Sequence, residues 1–177
     1  ANDTLLEFGC GYGRASVHFA EFLEAKNFVG VDISQERLRF AKRFLDERGL
    51  SEKGAQVICV EDCKFSEFEN RKFDVIWAWS VMNHMPWSDI QCLFQSLPSV
   101  MHADSVAYFA FCALEKNEKE TIKRLSIKDW SHSPKLLIDT CDRFQLVGCV
   151  ESQLPLGEEI RPNGRILKVT LKPSSRL

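Results

Sequence analysis

Glu7, Asp32, Glu61 and Asp62 are the carboxylates whose surroundings could do chemistry. Glu7 stands two residues before the first glycine of Gly9-Cys10-Gly11-Tyr12-Gly13. Asp32 closes an apolar run 19 residues beyond Gly13, and Glu61-Asp62-Cys63 closes another. Alternating glycines let a backbone take positive φ and approach a ligand closely. A helix opening after such a loop turns free N–H groups and a positive dipole end toward that ligand. By itself the loop would serve equally well as a tight strand-to-helix turn. The carboxylates add chemistry to it. Asp32 could accept both hydroxyls of a ribose, and an acid after a third strand could take an exocyclic adenine amine. One nucleoside touching three successive strand ends accounts for all three positions.

Such a constellation needs a scaffold that gathers strand ends. Residues 4–8, 28–32, 55–60 and 73–78 read as buried strands. Between the first two, residues 14–25 carry Val17, Ala20 and Leu23 or Glu24 on one helical face. Ser34 is placed to cap a helix over 34–48 with Leu38, Ala41 and Leu45 on one side, and Gly49 to end it. Ser88-Asp89-Ile90-Gln91 has the form of a capping box. Behind it Ile90, Leu93, Phe94 and Leu97 keep core-facing helical spacing. Residues 105–112 predict a fifth strand, and Ser133-Pro134 the start of a helix running to about 142. Strands at 144–150 and 165–171 follow, joined by a loop over 151–164 that holds Pro155, Gly157, Pro162 and Gly164. Alternating strands and helices imply parallel β-α-β units, and the uninterrupted apolar runs imply cover on both faces. The last two strands, with no helix between them, should pair as an antiparallel hairpin. The expectation is a doubly wound α/β fold whose seven-stranded sheet is mostly parallel, with ligands beyond the strands' carboxyl ends.

The chain has 177 residues and a net charge of −2, which we read as one domain over 1–177. The near-neutral balance leaves no footprint for nucleic acid. No apolar run approaches the ~20 residues that cross a bilayer. The seven cysteines include no C-x-x-C pair. They read as buried, reduced thiols rather than metal ligands, which implies a reducing, cytoplasmic compartment.

From Leu5 to about Cys112 the chain resembles the class I S-adenosylmethionine-dependent methyltransferases. An acid, any residue, then Gly-x-Gly-x-Gly is their first motif, as in Glu7 to Gly13. An acid ends their second strand, as Asp32 does in Val29-Gly30-Val31-Asp32, and an Asp follows the third, as Asp62 does. Their fourth strand begins like Phe73-Asp74-Val75-Ile76-Trp77 and leads into a stretch like Ser80-Val81-Met82-Asn83-His84-Met85. Dinucleotide oxidoreductases use G-x-G-x-x-G instead, and Arg14 stands where their last glycine would be.

The resemblance implies S-adenosylmethionine as cofactor and a role for each matching residue. Glu7 would hold the loop, Gly9, Cys10 and Gly11 would pass beneath the methionine moiety, and Asp32 would bind the ribose. Ile33 would pack on the adenine face, and Asp62 and Cys63 would meet its edge. Trp79 and Ser80 would border the methionine end and the acceptor. Trp77 and Trp79 share a face by strand alternation, which assigns at least one of them to the core. Family members carry helices ahead of the first strand, whereas this sequence opens three residues before it. We therefore expect a domain lacking those helices.

Methyl transfer from a sulfonium is an in-line displacement that mostly asks for alignment and desolvation. The chain shows no Asn/Asp-Pro-Pro-Tyr, no Pro-Cys nucleophile and no paired-Glu loop. A small-molecule acceptor is the default that remains. His84, just past the fourth strand, is the candidate general base, with a surface or capping histidine as the competing reading. Asp129, Trp130 and His132 fall where relatives place substrate-facing insertions, though a solvated loop would look the same. Arg161 could face an anionic substrate or stand as a plain surface charge. The alternative function is a catalytically silent methyltransferase-like domain that acts as a binding module.

Overall fold

Leu5–Phe8 forms β1, and each of its four side chains is buried. Alternation along the strand sends Leu5 toward one face, with Val17, Phe28 and Leu45, and sends Leu6 and Phe8 toward the other. Glu7 lies between Leu6 and Phe8 and so shares the Leu5 side. In this computed structural model the described residues are 1–68, 70–114, 121–124, 129–151 and 164–173.

The chain continues through α1 (Ser16–Phe22), β2 (Phe28–Asp32), α2 (Gln35–Glu47), β3 (Gln56–Cys59) and β4 (Phe73–Ala78). After these come α3 (Trp87–Ser96), β5 (Met101–Cys112), β6 (Ile122–Arg124) and β7 (Trp130–His132). The last elements are α4 (Pro134–Arg143), β8 (Leu146–Glu151) and β9 (Gly164–Leu171). The main sheet runs β3-β2-β1-β4-β5-β9-β8. Its first five strands are parallel. The expected hairpin is present, with Leu146 opposite Leu171. Its second strand, β9, inserts against β5 and leaves β8 at the edge. The strand order reverses between β1 and β4, so the switch point lies above those two strands.

Local signals were honoured at both ends of α2. Ser34 accepts a hydrogen bond from the Arg37 N–H, and α2 buries Leu38, Ala41 and Leu45. Gly49 takes φ 66° and its N–H returns to the Asp46 carbonyl, which stops the helix. Pro134 opens α4 after Ser133, although the Ser133 side chain makes no capping bond. The capping box did not form. α3 begins two residues earlier than an N-cap at Ser88 implies, at Trp87 behind Pro86, and the Ser88 hydroxyl bonds to Asp89 instead. The helical face it was meant to open is nevertheless right, since Ile90, Leu93, Phe94 and Leu97 are fully buried.

Three further differences matter for the site. α1 starts at Ser16 rather than Arg14, because residues after Gly13 first complete the glycine turn. β5 starts at Met101, four residues early, where the Ser105 hydroxyl bonds to the Phe73 carbonyl and carries the strand past a register shift. The region after β5 holds a ribbon, β6 paired antiparallel with β7, with Ile122 opposite His132. The loop 152–163, with Arg161, lies outside the described residues.

Cover on both faces holds only in part. α3 and α4 pack on the face of Leu6, Ile76 and Phe109. On the other face α1 and α2 cover β1 and β2. Trp77 and Tyr108 there stay half-buried, and Val147 is exposed.

Candidate functional site

The glycine loop is held from below by the strand beside it. The Gly9 and Cys10 N–H groups both donate to the Val31 carbonyl, and the Gly13 N–H closes the turn on the Cys10 carbonyl. All three glycines have positive φ, and each lacks a side chain for a different reason. A Cβ at Gly13 would sit 2.8 Å from Ala41, so that glycine lets α2 approach. A Cβ at Gly9 would run into the Val81 side chain, so that one lets the post-β4 segment close over the loop. At Gly11 the added atom would meet only the Asp32 carboxylate, at 4.0 Å. Gly11 is therefore the glycine that faces open space.

Asp32 ends β2 beside that space and is only 6% exposed. Its two oxygens accept the Gly11 and Ser34 N–H groups, both at 2.9 Å. The carboxylate thus ties the first strand's loop to the second strand's exit. Ile33 follows it with 75% of its surface exposed, an apolar side chain standing in solvent beside a polar cleft. Glu7 lies beneath the loop and accepts the Ser16 hydroxyl at 2.6 Å. Burial pushes its carboxyl up to about 7; the Ser16 hydrogen bond opposes the rise and the Asp32 charge adds to it.

Other expected residues take less direct positions. The Cys10 thiol is buried against Gly30, and burial raises its pKa far above the ordinary thiol value. It is a packing group, and only its backbone belongs to the loop. Asp62 accepts the Lys64 N–H at 2.8 Å and pairs with the Lys64 ammonium at 3.4 Å. Cys63 is half-buried against the core, and burial pushes its thiol up to about 12. All seven cysteines are free; three are buried and Cys149 is exposed.

Beyond β4 the backbone turns sharply. Ser80 adopts φ 57°, a left-handed conformation costing a non-glycine residue roughly 1 kcal/mol. The turn drops Val81 onto Gly9 and opens a short 3-10 helix, Met82–His84. Trp79, 39% exposed, stacks on Trp77 with centroids 5.6 Å apart and planes within 5°. Trp77 in turn meets Phe19 and Tyr108, so it is the core member of the pair. The His84 ring is half exposed and its Nδ1 lies 3.2 Å from Asp129 Oδ1. The Asn83 amide stands 3.4 Å from its Nε2. His132 is fully buried in the ribbon and tilts against Trp87. The Met82 backbone lies beside the ring, yet neither nitrogen makes a hydrogen bond of sound geometry among the described residues. Burial lowers its pKa.

Four residues that shape this region had no role from sequence: Ser16, Val81, Asn83 and Gly13 as a packing glycine. Only Ser16 carried a signal, a hydroxyl one helical turn past the loop. Val81 reads as any apolar residue until the Ser80 turn is known.

This chain is similar to known proteins in sequence and in fold. The methyltransferase-domain family matches residues 5–104, which hold the glycine loop, Asp32, Asp62 and the β4 segment. A probable methyltransferase of Aspergillus luteorubrus is 29% identical over 91 residues, covering 50% of this chain and 32% of that protein. The ubiquinone biosynthesis O-methyltransferase of Actinobacillus pleuropneumoniae serotype 7 is 30% identical over 108 residues, covering 60% of this chain and 44% of its own length. Their matched portions thus amount to less than half of either relative. An S-adenosylmethionine-dependent methyltransferase from Clostridium acetobutylicum shares the fold at a TM-score of 0.74 and 16% identity, covering 98% of this chain and 85% of that one. With more than half of its length matched by one family, and the matched part carrying the whole glycine-loop cleft, this chain belongs to the family of methyltransferase domains.

Proposed function

We propose that this chain is an S-adenosylmethionine-dependent methyltransferase acting on a small molecule. One observation carries the reading. The open space at Gly11 is bounded by a buried carboxylate at the end of the neighbouring strand and by an exposed apolar side chain next to it. A ribose diol, an adenine face and a backbone-lined edge ask for those three things, so the residues fit the cofactor. When bound, S-adenosylmethionine supplies a methyl group already activated on a sulfonium.

The chain's own residues then bind, orient and exclude water. Asp32 accepts the ribose hydroxyls, exchanging or sharing the Gly11 and Ser34 donors it now holds. Ile33 covers the adenine, and the backbone of Asp62 and Cys63 borders its edge. Glu7 anchors the glycine loop through Ser16; the Gly9 and Cys10 backbone floors the methionine end and Gly11 leaves the room beside it. Trp79 flanks the acceptor side as a flat apolar wall. His84 is the base that takes the acceptor's proton. A small acceptor is supported by the net charge of −2 and by the relative named for ubiquinone biosynthesis. No described helix is long and apolar enough to cross a membrane. With seven free thiols, this supports work in a reducing, cytoplasmic setting.

Calorimetry tests the reading. We expect saturable binding of S-adenosylmethionine and S-adenosylhomocysteine to the folded chain. Binding of a nicotinamide dinucleotide in their place overturns it. Cofactor binding with no turnover across phenols, amines, thiols and carboxylates would leave a binding module.

A further inference from the structure

His84 and Asp129 are 45 residues apart in sequence and belong to no common element. One ends the 3-10 turn that follows β4, and the other enters β7 of the ribbon. The fold nevertheless brings Nδ1 of the ring to 3.2 Å from Oδ1 of the carboxylate. Asp129 is the more enclosed partner, with its side chain 26% exposed against 51% for His84. The same turn presses Val81 onto the glycine loop, so the pair is anchored beside the cofactor cleft.

We propose that Asp129 is the positioning residue for His84, and that the pair suits acceptors that must lose a proton: a hydroxyl, a phenol or a protonated amine. This rests on the methyl-transfer reading above. A carboxylate at Nδ1 keeps the proton on that nitrogen and so leaves the lone pair on Nε2. The Asn83 amide contact to Nε2 is long, at 3.4 Å, and yields to an acceptor. A hydroxyl or phenol passes its proton to Nε2 as an oxygen lone pair takes the methyl group; a protonated amine passes it first, which frees the nitrogen lone pair that then takes the methyl group. The sulfonium leaves as a neutral thioether, and the imidazolium's new charge lies against Asp129. Charge and atoms balance with no further reactant.

The deciding measurement needs no acceptor. The full chain has four histidines, so imidazole nitrogen spectra can be assigned with His84→Gln. We expect the His84 proton on Nδ1 in the wild type. In Asp129→Ala it should move to the Nε2 form that free imidazoles prefer, and Asp129→Glu should return part of it to Nδ1. A wild-type proton on Nε2, or a tautomer unchanged in Asp129→Ala, overturns the proposal. Unaltered S-adenosylmethionine affinity in both variants shows that the fold survived. Given an acceptor that turns over, Asp129→Ala should cost about tenfold in maximal rate, less than loss of the base itself, and nothing further in the His84→Gln background. Additive losses overturn the coupling. Absence of cofactor binding would remove the methyl-transfer reading and leave the tautomer result standing.

Discussion

β4 has a histidine–aspartate pair at each end, and the two are built differently. At its amino end Asp74 Oδ1 meets His102 Nε2 at 2.9 Å, while Oδ2 accepts the Thr4 N–H and hydroxyl, both at 2.7 Å. Asp74 and His102 are second residues of β4 and β5, and Thr4 immediately precedes β1. Strand register sets this geometry, so all three donors arrive together. The Thr4 bonds, backbone first, and then His102 hold the Asp74 carboxyl below the usual range. That pair is a staple. At the carboxyl end His84 and Asp129 both come from outside the sheet, 3.2 Å apart, and half of the His84 ring faces solvent. Paired chemistry fully engaged inside regular structure locks strands together. The same chemistry borrowed from two connections leaves half of the His84 ring open to solvent, at the end of the sheet where ligands bind.

If the two ends of β4 differ in this way, four substitutions should sort ligand-facing groups from structural ones. The largest effect is expected from His84→Gln, which should lower the maximal rate by about 10²-fold with cofactor affinity unchanged. A rate within a few-fold of wild type would make the carboxyl-end pair another staple. Asp32→Ala should weaken S-adenosylmethionine binding at least tenfold, since it removes charge-assisted hydrogen bonds worth about 1.5–3 kcal/mol each. Calorimetry reads this, and an unchanged affinity places the ribose elsewhere. Asp74→Ala should do the reverse. It should cost about 1 kcal/mol of stability, the typical value of a half-exposed hydrogen-bonded group, and leave cofactor affinity alone. Because the folded Asp74 pKa is depressed, its contribution is present above the ordinary aspartate value and fades as pH falls through the folded one. Denaturant melts from neutral pH into acid should show that fading in the wild type and not in the variant.

The remaining effect concerns Glu7 and has the opposite sign. Its pKa rises from 4.5 to about 7 on folding, so the folded chain holds the proton more tightly. The stability that comes from this is present below about 4.5 and is lost as pH rises through about 7. Glu7→Gln should therefore gain on the wild type as melts move from pH 4.5 to pH 8. A constant difference across that range would mean that Glu7 keeps its ordinary titration in the folded chain.

Much of this was legible beforehand because it is local. Apolar runs marked the seven strands of the main sheet, the Ser34 cap and Gly49 stop bounded α2, and the loop from Glu7 to Gly13 announced a cleft. The capping box at Ser88 did not form because the helix starts upstream of it: Pro86 is the N-cap, which places Ser88 inside the first turn. The ribbon was not legible, since β6 and β7 have three residues each and exist only by pairing with one another. Their periodicity is too short to register.

Sequence by itself determined the doubly wound order of strands and helices, the family, and the carboxylates available at the strand ends, because spacing along a chain is preserved when it folds. It also assigned one of Trp77 and Trp79 to the core. Tertiary structure alone decided that Trp77 is that one, that β9 lies between β5 and β8, and that Gly9 and Gly13 serve packing while Gly11 faces the cleft. It alone brought Asp129 to His84. These are outcomes of side chains meeting across long separations, where the partner, the distance and the facing atom depend on how every intervening element packs.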